Sequence, residues 1–219
     1  MRSETIENYL KTIYNLTGGS SQVVSNQQLA AKLGINPASV TESLKKLHEL
    51  KYVIYEKSYG TRLTASGAKL AVGIVRRHRI WETYLHNVLG FGWEEVHEIA
   101  EELEHVSNDK LIQKLANILG NPGFDPHGDP IPDEKGKVKR TKFIPLSQAK
   151  AGKKYIVRAV SDHSTLFLNY LKKHGLIIGA EFDVSFLEDY DGSMLIMNKK
   201  KEIVISASAA DSIIVSEKG

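Results

Sequence analysis

Apolar residues recur at helical spacing through the first fifty positions of the chain. The segment 3–17 predicts a first helix, because its apolar residues return every three or four positions before the pair Gly18-Gly19. The segment NQQLAAKL predicts a short second helix that stops at Gly34, and Pro37 opens a third helix. Two helices joined by a tight turn that contains glycine are typical of a helix-turn-helix.

In the segment YVIYEKSYGTRLT, apolar and polar residues alternate and no longer recur at helical spacing. This pattern predicts two short strands that form a hairpin, with the turn near Gly60. A helix-turn-helix followed by a hairpin makes a winged helix, so we predict a DNA-binding domain over residues 1–64.

The middle of the chain returns to the helical period. It predicts a long helix over about 64–89 and two shorter helices over about 93–106 and 108–119. We therefore expect a separate helical domain over residues 65–120.

The last hundred residues begin with a segment rich in turn formers. Five of the six prolines lie between residues 120 and 145, which predicts a linker over 121–145 without a packed element. One short helix among four or five strands then indicates a small barrel over 146–219. The predicted fold class is mainly α with a small β part.

Composition excludes several classes of site. The chain has 219 residues and no cysteine, so disulfides, cysteine-ligated zinc, iron–sulfur clusters and thiol nucleophiles are excluded. No apolar run approaches the ~18 residues of a membrane helix, and the first residues lack the pattern of a secretion signal. We therefore expect a cytoplasmic protein without a membrane partner.

Charge is distributed unevenly along the chain. Residues 1–75 carry nine Lys and Arg against five Asp and Glu, whereas residues 76–125 carry five against nine. The basic first third favours an anionic partner such as nucleic acid, and the acidic middle favours cations.

The segment WEEVHEIAEELEHV carries the most distinctive chemistry. Between Glu94 and His105 it has six glutamates, two histidines and no basic residue. On a helix, one arc of this segment presents His97, Glu101, Glu104 and His105, one turn apart. Imidazole and carboxylate ligands at this spacing suit a divalent metal, although an acidic helix face is more often simply solvated.

A second stripe of ligands lies on the preceding helix. His78, Glu82 and His86 follow one another at four-residue intervals, so antiparallel packing of the two helices would let the stripes face each other. A sulfur-free set of imidazoles and carboxylates favours Mn²⁺, Fe²⁺, Co²⁺ or Zn²⁺ over soft ions such as Cu(I).

The order of these segments resembles the DtxR/MntR family of metal-dependent transcriptional repressors. The similar segments are NYLKTIY, NPASVTESLKKL, LTASG, RRHRIWETYL and HEIAEELEHV, in that order. The segments LSQAKAGKKYIVRAV and LKKHGLIIGAEFDV resemble the SH3-like, FeoA-like domain of the longer members. The resemblance implies a winged helix, a helical dimerisation domain and a C-terminal SH3-like barrel.

The resemblance also implies a primary metal site. Its ligands would be Asn8, Glu101, Glu104 and His105. Iron-sensing members have cysteine at the position of Glu101, and manganese-sensing members have glutamate, so Mn²⁺ is the expected cofactor. Family members have Asp or Met where this chain has Asn8, and a nearby glutamate, Glu7 or Glu4, is an alternative ligand.

A second metal site is implied by the same resemblance. His78, Glu82 and His97 match family ligands, and Asp125 and His127 stand where some manganese-type members have a Cys-Pro-His loop. The C-terminal domain would add Asp162 or His163. The alternative interpretation of the segment DPHGDP is an ordinary turn.

The winged helix supplies the candidates for DNA contact. Helix residues after the turn would approach base edges, and basic residues with Thr41 would hold phosphates, unless the lysines are merely solvated. The candidates are Asn36, Pro37, Ala38, Ser39, Thr41, Glu42, Lys45, Lys46, Lys57 and Arg62.

Together with these patterns, the resemblance implies a homodimeric repressor that binds a palindromic operator in double-stranded DNA and controls metal-uptake genes. Two other functions compete with this one. A metal-independent winged-helix regulator would use the same DNA-binding module. A dinuclear metal hydrolase would use the same ligands, but the sequence offers neither a nucleophile nor a substrate pocket, so we expect no enzyme.

Overall fold

A computed structural model describes residues 3–139, 141–199 and 201–218. These residues form two compact units. The first unit contains the residues up to 78 together with 101–109 and 132–138, and the second contains 79–100, 110–131 and the residues from 139 onward. The boundaries of these two units differ from those of the three predicted domains and the linker, and the predicted boundaries remain predictions. Within the described ranges, no helix has the length and apolarity that crossing a bilayer requires.

The first unit begins with the helix-turn-helix. Helix α1 spans Ser3–Leu16, α2 spans Asn26–Leu33 and α3 spans Pro37–Glu49. Ser25 and Gln28 form a capping box at the start of α2, and Gly34 ends that helix in the left-handed conformation at φ 65°. The Asn36 side chain then accepts the Ala38 amide and starts α3. The turn therefore has the glycine that the sequence predicts, together with a cap, Asn36, that it does not.

The wing follows as an antiparallel pair. Strands β1 (Val53–Glu56) and β2 (Gly60–Leu63) pair with Val53 opposite Leu63. A buried apolar cluster joins these elements, because each helix turns one apolar face inward. Its fully buried members include Leu10, Ile13, Leu29, Val40, Leu44 and Leu47.

Three helices make up the middle of the chain. Helix α4 spans Ala65–Asn87, α5 spans Val96–Leu103 and α6 spans Asp109–Ile118. The sequence predicts a longer α5, and the structure ends that helix at Leu103. The Glu104 carbonyl instead accepts a hydrogen bond from Arg77 Nε at 2.6 Å. This bond holds Glu104 and His105 in a turn, not on the helix face that the sequence suggests.

The second unit contains a six-stranded antiparallel sheet in the order β3-β8-β4-β5-β6-β7. The strands span Ile144–Pro145 (β3), Lys153–Val160 (β4), Glu181–Leu187 (β5), Met194–Asn198 (β6), Lys201–Ile205 (β7) and Ile213–Glu217 (β8). Helices α7 (Thr165–His174) and α8 (Ala207–Ser212) complete it. Alternate strand residues, such as Tyr155, Val157 and Phe182, fill its core. The predicted fold class is confirmed.

The expectation that residues 120–145 contain no packed element is wrong. Phe124 pairs with Pro130 in an isolated bridge, and Ile131 packs against α4 and α6 residues. Asp125 and His127 are buried as well. Hydrogen bonds order this loop, since the Asp125 carboxylate accepts the backbone amides of His127 and Asp129. A hydrophobic pattern cannot reveal a loop that packs through polar contacts.

Candidate metal sites and DNA-binding surface

The second unit buries three ligand-type side chains together. Glu82 comes from α4, and Asp125 and His127 come from the ordered loop that follows α6. One ligand atom of each lies within 4.8 Å of the other two, and all three residues are buried. Glu82 Oε1 is also 3.0 Å from His97 Nδ1. We call Glu82, Asp125 and His127 the loop cluster.

Backbone contacts fix the orientation of the imidazole of His127. Its Nε2 lies 2.7 Å from the Trp93 carbonyl, which can only accept, so Nε2 carries the proton in the neutral ring. The other nitrogen, Nδ1, is buried without a hydrogen-bond partner, 3.5 Å from Glu82 Oε1. Metal-binding histidines usually donate their second N–H to a carbonyl or carboxylate in this way.

Of the two candidates from the C-terminal region, His163 is the one that contacts the loop cluster. Its ring stacks on His127 with centroids 4.6 Å apart, and its Nε2 lies 3.1 Å from the Val160 carbonyl. Asp162 Oδ1 instead accepts the Ser164 amide at the start of α7. His86, the third member of the predicted stripe, bonds through its ring to the Phe91 carbonyl.

The loop cluster has an excess of negative charge. Burial, reinforced by the nearby Glu82 and Asp129 carboxylates, raises the pKa of Asp125 well above its ordinary value. Burial lowers the pKa of His127, but the contact with Glu82 outweighs that effect and the pKa is raised overall. The guanidinium of Arg79 is 3.6 Å from Asp125 Oδ2, an oxygen without a hydrogen-bond partner in the described part of the chain. A cation at this point would satisfy Asp125 Oδ2 and His127 Nδ1, so the residues present fit a divalent metal.

The first unit holds a different cluster around a lysine. Lys11 Nζ lies 2.5 Å from Glu104 Oε2, 2.7 Å from Glu101 Oε1 and 3.1 Å from His78 Nδ1. His78 Nδ1 is itself 2.7 Å from Glu104 Oε2. Lys11, His78 and Glu104 are all buried. We call Lys11, His78, Glu101 and Glu104 the lysine cluster.

The remaining ligands of the predicted primary site lie beside the lysine cluster. His105 Nδ1 is 2.7 Å from Glu7 Oε2, which also pairs with Arg77 at 3.2 Å. Asn8 Oδ1 is buried without a hydrogen-bond partner, as is Glu104 Oε1. Glu4 is exposed. The orphaned oxygens fit a metal, but the ammonium of Lys11 already contacts the two carboxylates on which such a metal depends.

Most of the predicted DNA-binding residues are exposed, and several of them also have intramolecular partners. Ala38, Ser39 and Lys45 are exposed on α3. The wing residues Lys57 and Arg62, and Pro37 in the first turn of α3, are exposed too. Other candidates have intramolecular partners: Glu42 pairs with Lys46 at 2.8 Å, Asn36 caps α3, and Thr41 bonds to Asn26 and to the Pro37 carbonyl.

Sequence reasoning missed Lys11 and Arg79 as parts of the two clusters. Lys11 follows Glu7 and Asn8 by four and three residues, so all three share one side of α1. That spacing was available in the sequence. Arg79 had no comparable signal, because its carboxylate partners, Asp125 and Asp129, are about fifty residues away along the chain.

Family models match nearly the whole chain. A model described as the iron dependent repressor N-terminal DNA binding domain matches residues 1–61. A second model, the iron dependent repressor metal binding and dimerisation domain, matches residues 64–133, and a FeoA domain matches residues 144–217.

Two repressors illustrate the sequence relationship. The chain is 32% identical over 129 residues to the diphtheria toxin repressor of Corynebacterium jeikeium, which is 59% of this chain and 53% of that protein. It thus spans about half the length of this curated relative. The diphtheria toxin repressor of Corynebacterium diphtheriae is 25% identical over 98% of this chain and 97% of that protein.

Solved structures extend the likeness to the whole chain. A manganese-dependent transcriptional repressor in complex with manganese has a TM-score of 0.89 and 32% identity, and the match covers 97% of this chain and all of that chain. ScaR with bound Zn²⁺ has a TM-score of 0.82 and 33% identity, covering 97% and 99% of the two chains. The resemblance that the sequence motifs indicate is therefore confirmed, and the chain belongs to the DtxR/MntR family of metal-dependent, DNA-binding transcriptional repressors.

Proposed function

We propose that this chain is a cytoplasmic, homodimeric repressor that binds a palindromic operator when it is loaded with Mn²⁺, and that it controls metal-uptake genes. The observation that carries the proposal is the loop cluster. A buried imidazole nitrogen and a buried carboxylate oxygen, His127 Nδ1 and Asp125 Oδ2, have no hydrogen-bond partner among the described residues and lie beside Glu82. Buried polar atoms without partners cost stability, so a cation that binds them stabilises the fold.

The donor set supports manganese over softer metals. Glu82 and Asp125 offer carboxylate oxygens, and His127, with His97 and His163 beside it, offers imidazole nitrogens. Hard oxygen ligands and imidazole suit Mn²⁺, with Fe²⁺, Co²⁺ and Zn²⁺ as alternatives. Because Asp125 offers a carboxylate oxygen where a cysteine would offer sulfur, the loop cluster is a harder set of metal ligands than a cysteine-containing site.

The predicted primary metal site is the other proposed metal position. Its ligands would be Glu101 and Glu104 of the lysine cluster, with Asn8 and His105 beside them. A metal held by these residues would link α1 to the turn after α5. Asn8 and Glu7 lie on α1, and Glu104 and His105 lie in the turn, so this chain's own side chains would set the position of α1. A ligand that binds one arrangement of α1 better than another shifts the population toward it.

Exposed residues of α3 and the wing would then contact DNA. Ala38 and Ser39, at the start of α3, are placed to approach base edges in a major groove. Lys45, Lys57 and Arg62 would contact phosphates, which fix register without reading sequence. A homodimer would present two such surfaces to the two halves of a palindrome.

Two alternatives remain distinct from this proposal. A metal-independent winged-helix regulator would bind its operator equally well in chelator. A dinuclear hydrolase would instead show metal-dependent hydrolysis of a substrate, without metal-dependent binding to an operator.

Operator binding measured by fluorescence anisotropy, with Mn²⁺ or with EDTA, tests the proposal. We expect the Kd for the operator to be at least tenfold lower with Mn²⁺ than with EDTA. An equal Kd in the two conditions would favour the metal-independent regulator. The variant His86→Ala, which changes a half-buried histidine outside both clusters, should respond to Mn²⁺ like the native protein.

A further inference from the structure

The ammonium of Lys11 occupies a position that is typical of a small cation. Three ligand-type atoms from three residues, on Glu101, Glu104 and His78, lie within 3.1 Å of one Nζ atom. Only 9% of the Lys11 side chain is exposed, and Glu104 is completely buried. A lysine that merely balanced surface charge would keep its ammonium in water, because burying it is costly.

The carboxylates of the lysine cluster need a cation in the metal-free protein. Glu104 is buried, and a buried carboxylate without a counter-ion is strongly unfavourable. Arg77 does not fill this need, since its guanidinium donates to the Glu104 carbonyl and to Glu7 instead. Lys11, which carries a permanent charge, therefore neutralises Glu104 beside the His78 imidazole, 2.7 Å from the same oxygen.

A divalent metal and the ammonium compete for the same oxygens. An ammonium repels a metal placed within a few ångströms of it, and both need Glu101 and Glu104. Glu104 Oε1 and Asn8 Oδ1 have no partners while Lys11 is in place. Lys11 thus contacts only some of the acceptor oxygens that a metal at this site would contact.

We propose that Lys11 competes with the metal for the predicted primary metal site. Without metal, its ammonium occupies that site, and it must leave before a divalent cation can bind there. Asn8 precedes Lys11 by three residues on the same side of α1 and has a much shorter side chain. Exchange of the lysine contact for an Asn8 contact would draw α1 toward the turn after α5. The metal concentration needed for repression is then set by how firmly Lys11 holds the carboxylates.

The inference rests on the proposed function for the identity of the incoming cation, Mn²⁺. Its direct test is acetylation of lysines in the native full-length protein, followed by mass spectrometry, with EDTA or with saturating Mn²⁺. We expect Lys11 to be protected in EDTA and to react at least tenfold faster with Mn²⁺. Lys154, whose side chain is 47% exposed, is the internal control and should react equally in both conditions.

The variant Lys11→Met supplies a second measurement. If the ammonium occupies the position for 90–99% of the time, its removal should raise the affinity for Mn²⁺ at this position about tenfold to hundredfold in calorimetric titration. The control Lys154→Met should leave the affinity unchanged. If Lys11→Met does not fold, the acetylation of the native protein still decides the question.

Operator binding of the native protein, measured in the same preparation, separates the two proposals. Mn²⁺-dependent operator binding with Lys11 equally protected in both conditions would overturn the competition model and leave the proposed function standing. If Mn²⁺ changes neither the affinity for the operator nor the acetylation rate of Lys11, both proposals are wrong.

Discussion

The two ligand clusters contain similar residues but differ in how their charge is balanced. In the loop cluster, Glu82 and Asp125 are buried with a guanidinium only at the edge, 3.6 Å from Asp125. In the lysine cluster, an ammonium lies directly between Glu101 and Glu104. The carboxylates of the loop cluster can therefore bind a cation from solution directly, whereas those of the lysine cluster are already paired with the ammonium of Lys11.

This difference predicts different responses to metal. The backbone carbonyl of Trp93 fixes the ring of His127, so binding at the loop cluster requires little rearrangement. Binding at the lysine cluster requires a buried side chain to leave. We therefore expect the loop cluster to be filled at lower Mn²⁺ concentrations than the lysine cluster.

The largest effect should follow from loss of a loop-cluster ligand. His127→Ala removes the unpartnered Nδ1, and we expect the affinity of this cluster for Mn²⁺ to fall at least a hundredfold in calorimetric titration. The control His174→Ala, in the last turn of α7, should retain native affinity. A native affinity in His127→Ala would mean that this histidine is not a ligand.

A smaller effect should follow from removing the charge of Asp125 in the metal-free protein. A carboxyl group whose pKa is raised on folding stabilises the fold while it is protonated, and that contribution is lost as the pH rises through the raised pKa. Asp125→Asn keeps the acceptor for the loop amides but cannot ionise. At pH 7.5 in EDTA, we therefore expect a higher free energy of unfolding for the variant, because it does not bury an ionised carboxylate.

Urea denaturation of the metal-free variant measures this change. The matched control is Asp183→Asn, since Asp183 is 54% exposed and pairs only loosely with Lys154 at 3.7 Å. That control should change the free energy of unfolding by less than about 0.5 kcal/mol. A marked loss of stability in Asp125→Asn would show that the charge of Asp125 is already balanced without metal.

The smallest effect concerns DNA contact. Lys45→Ala should reduce the slope of log Kd against log salt concentration by about 0.9, because one phosphate contact is lost. The change in affinity should be similar for operator and random DNA. An unchanged slope would mean that Lys45 contacts solvent and not a phosphate. The control is Lys69→Ala, which changes an exposed lysine of α4.

Much of the fold follows from periodicity. The helix-turn-helix, the wing and the change to a sheet all have local signals, such as Gly34, Pro37 and the alternation around Gly60. The ordered loop at 124–131 does not, since hydrogen bonds to Asp125 organise it and its prolines and glycines resemble those of a plain linker. Glu104, just after the end of α5, is likewise bonded to a residue far away along the chain, Arg77.

The chemistry of the clusters was only partly predictable for the same reason. Helical spacing placed Glu101 and Glu104 within one turn of each other, and the structure joins them through Lys11. Which histidine joins which carboxylate depends on tertiary contacts, as between His127 and Glu82 or His105 and Glu7. Such long-range pairs leave no local pattern in one sequence.

Anomalous diffraction at the manganese edge, from a crystal grown with Mn²⁺, tests the central claim most directly. We predict an anomalous peak in contact with Glu82, Asp125 and His127. A crystal with the same fold but without manganese at these three residues would contradict the account.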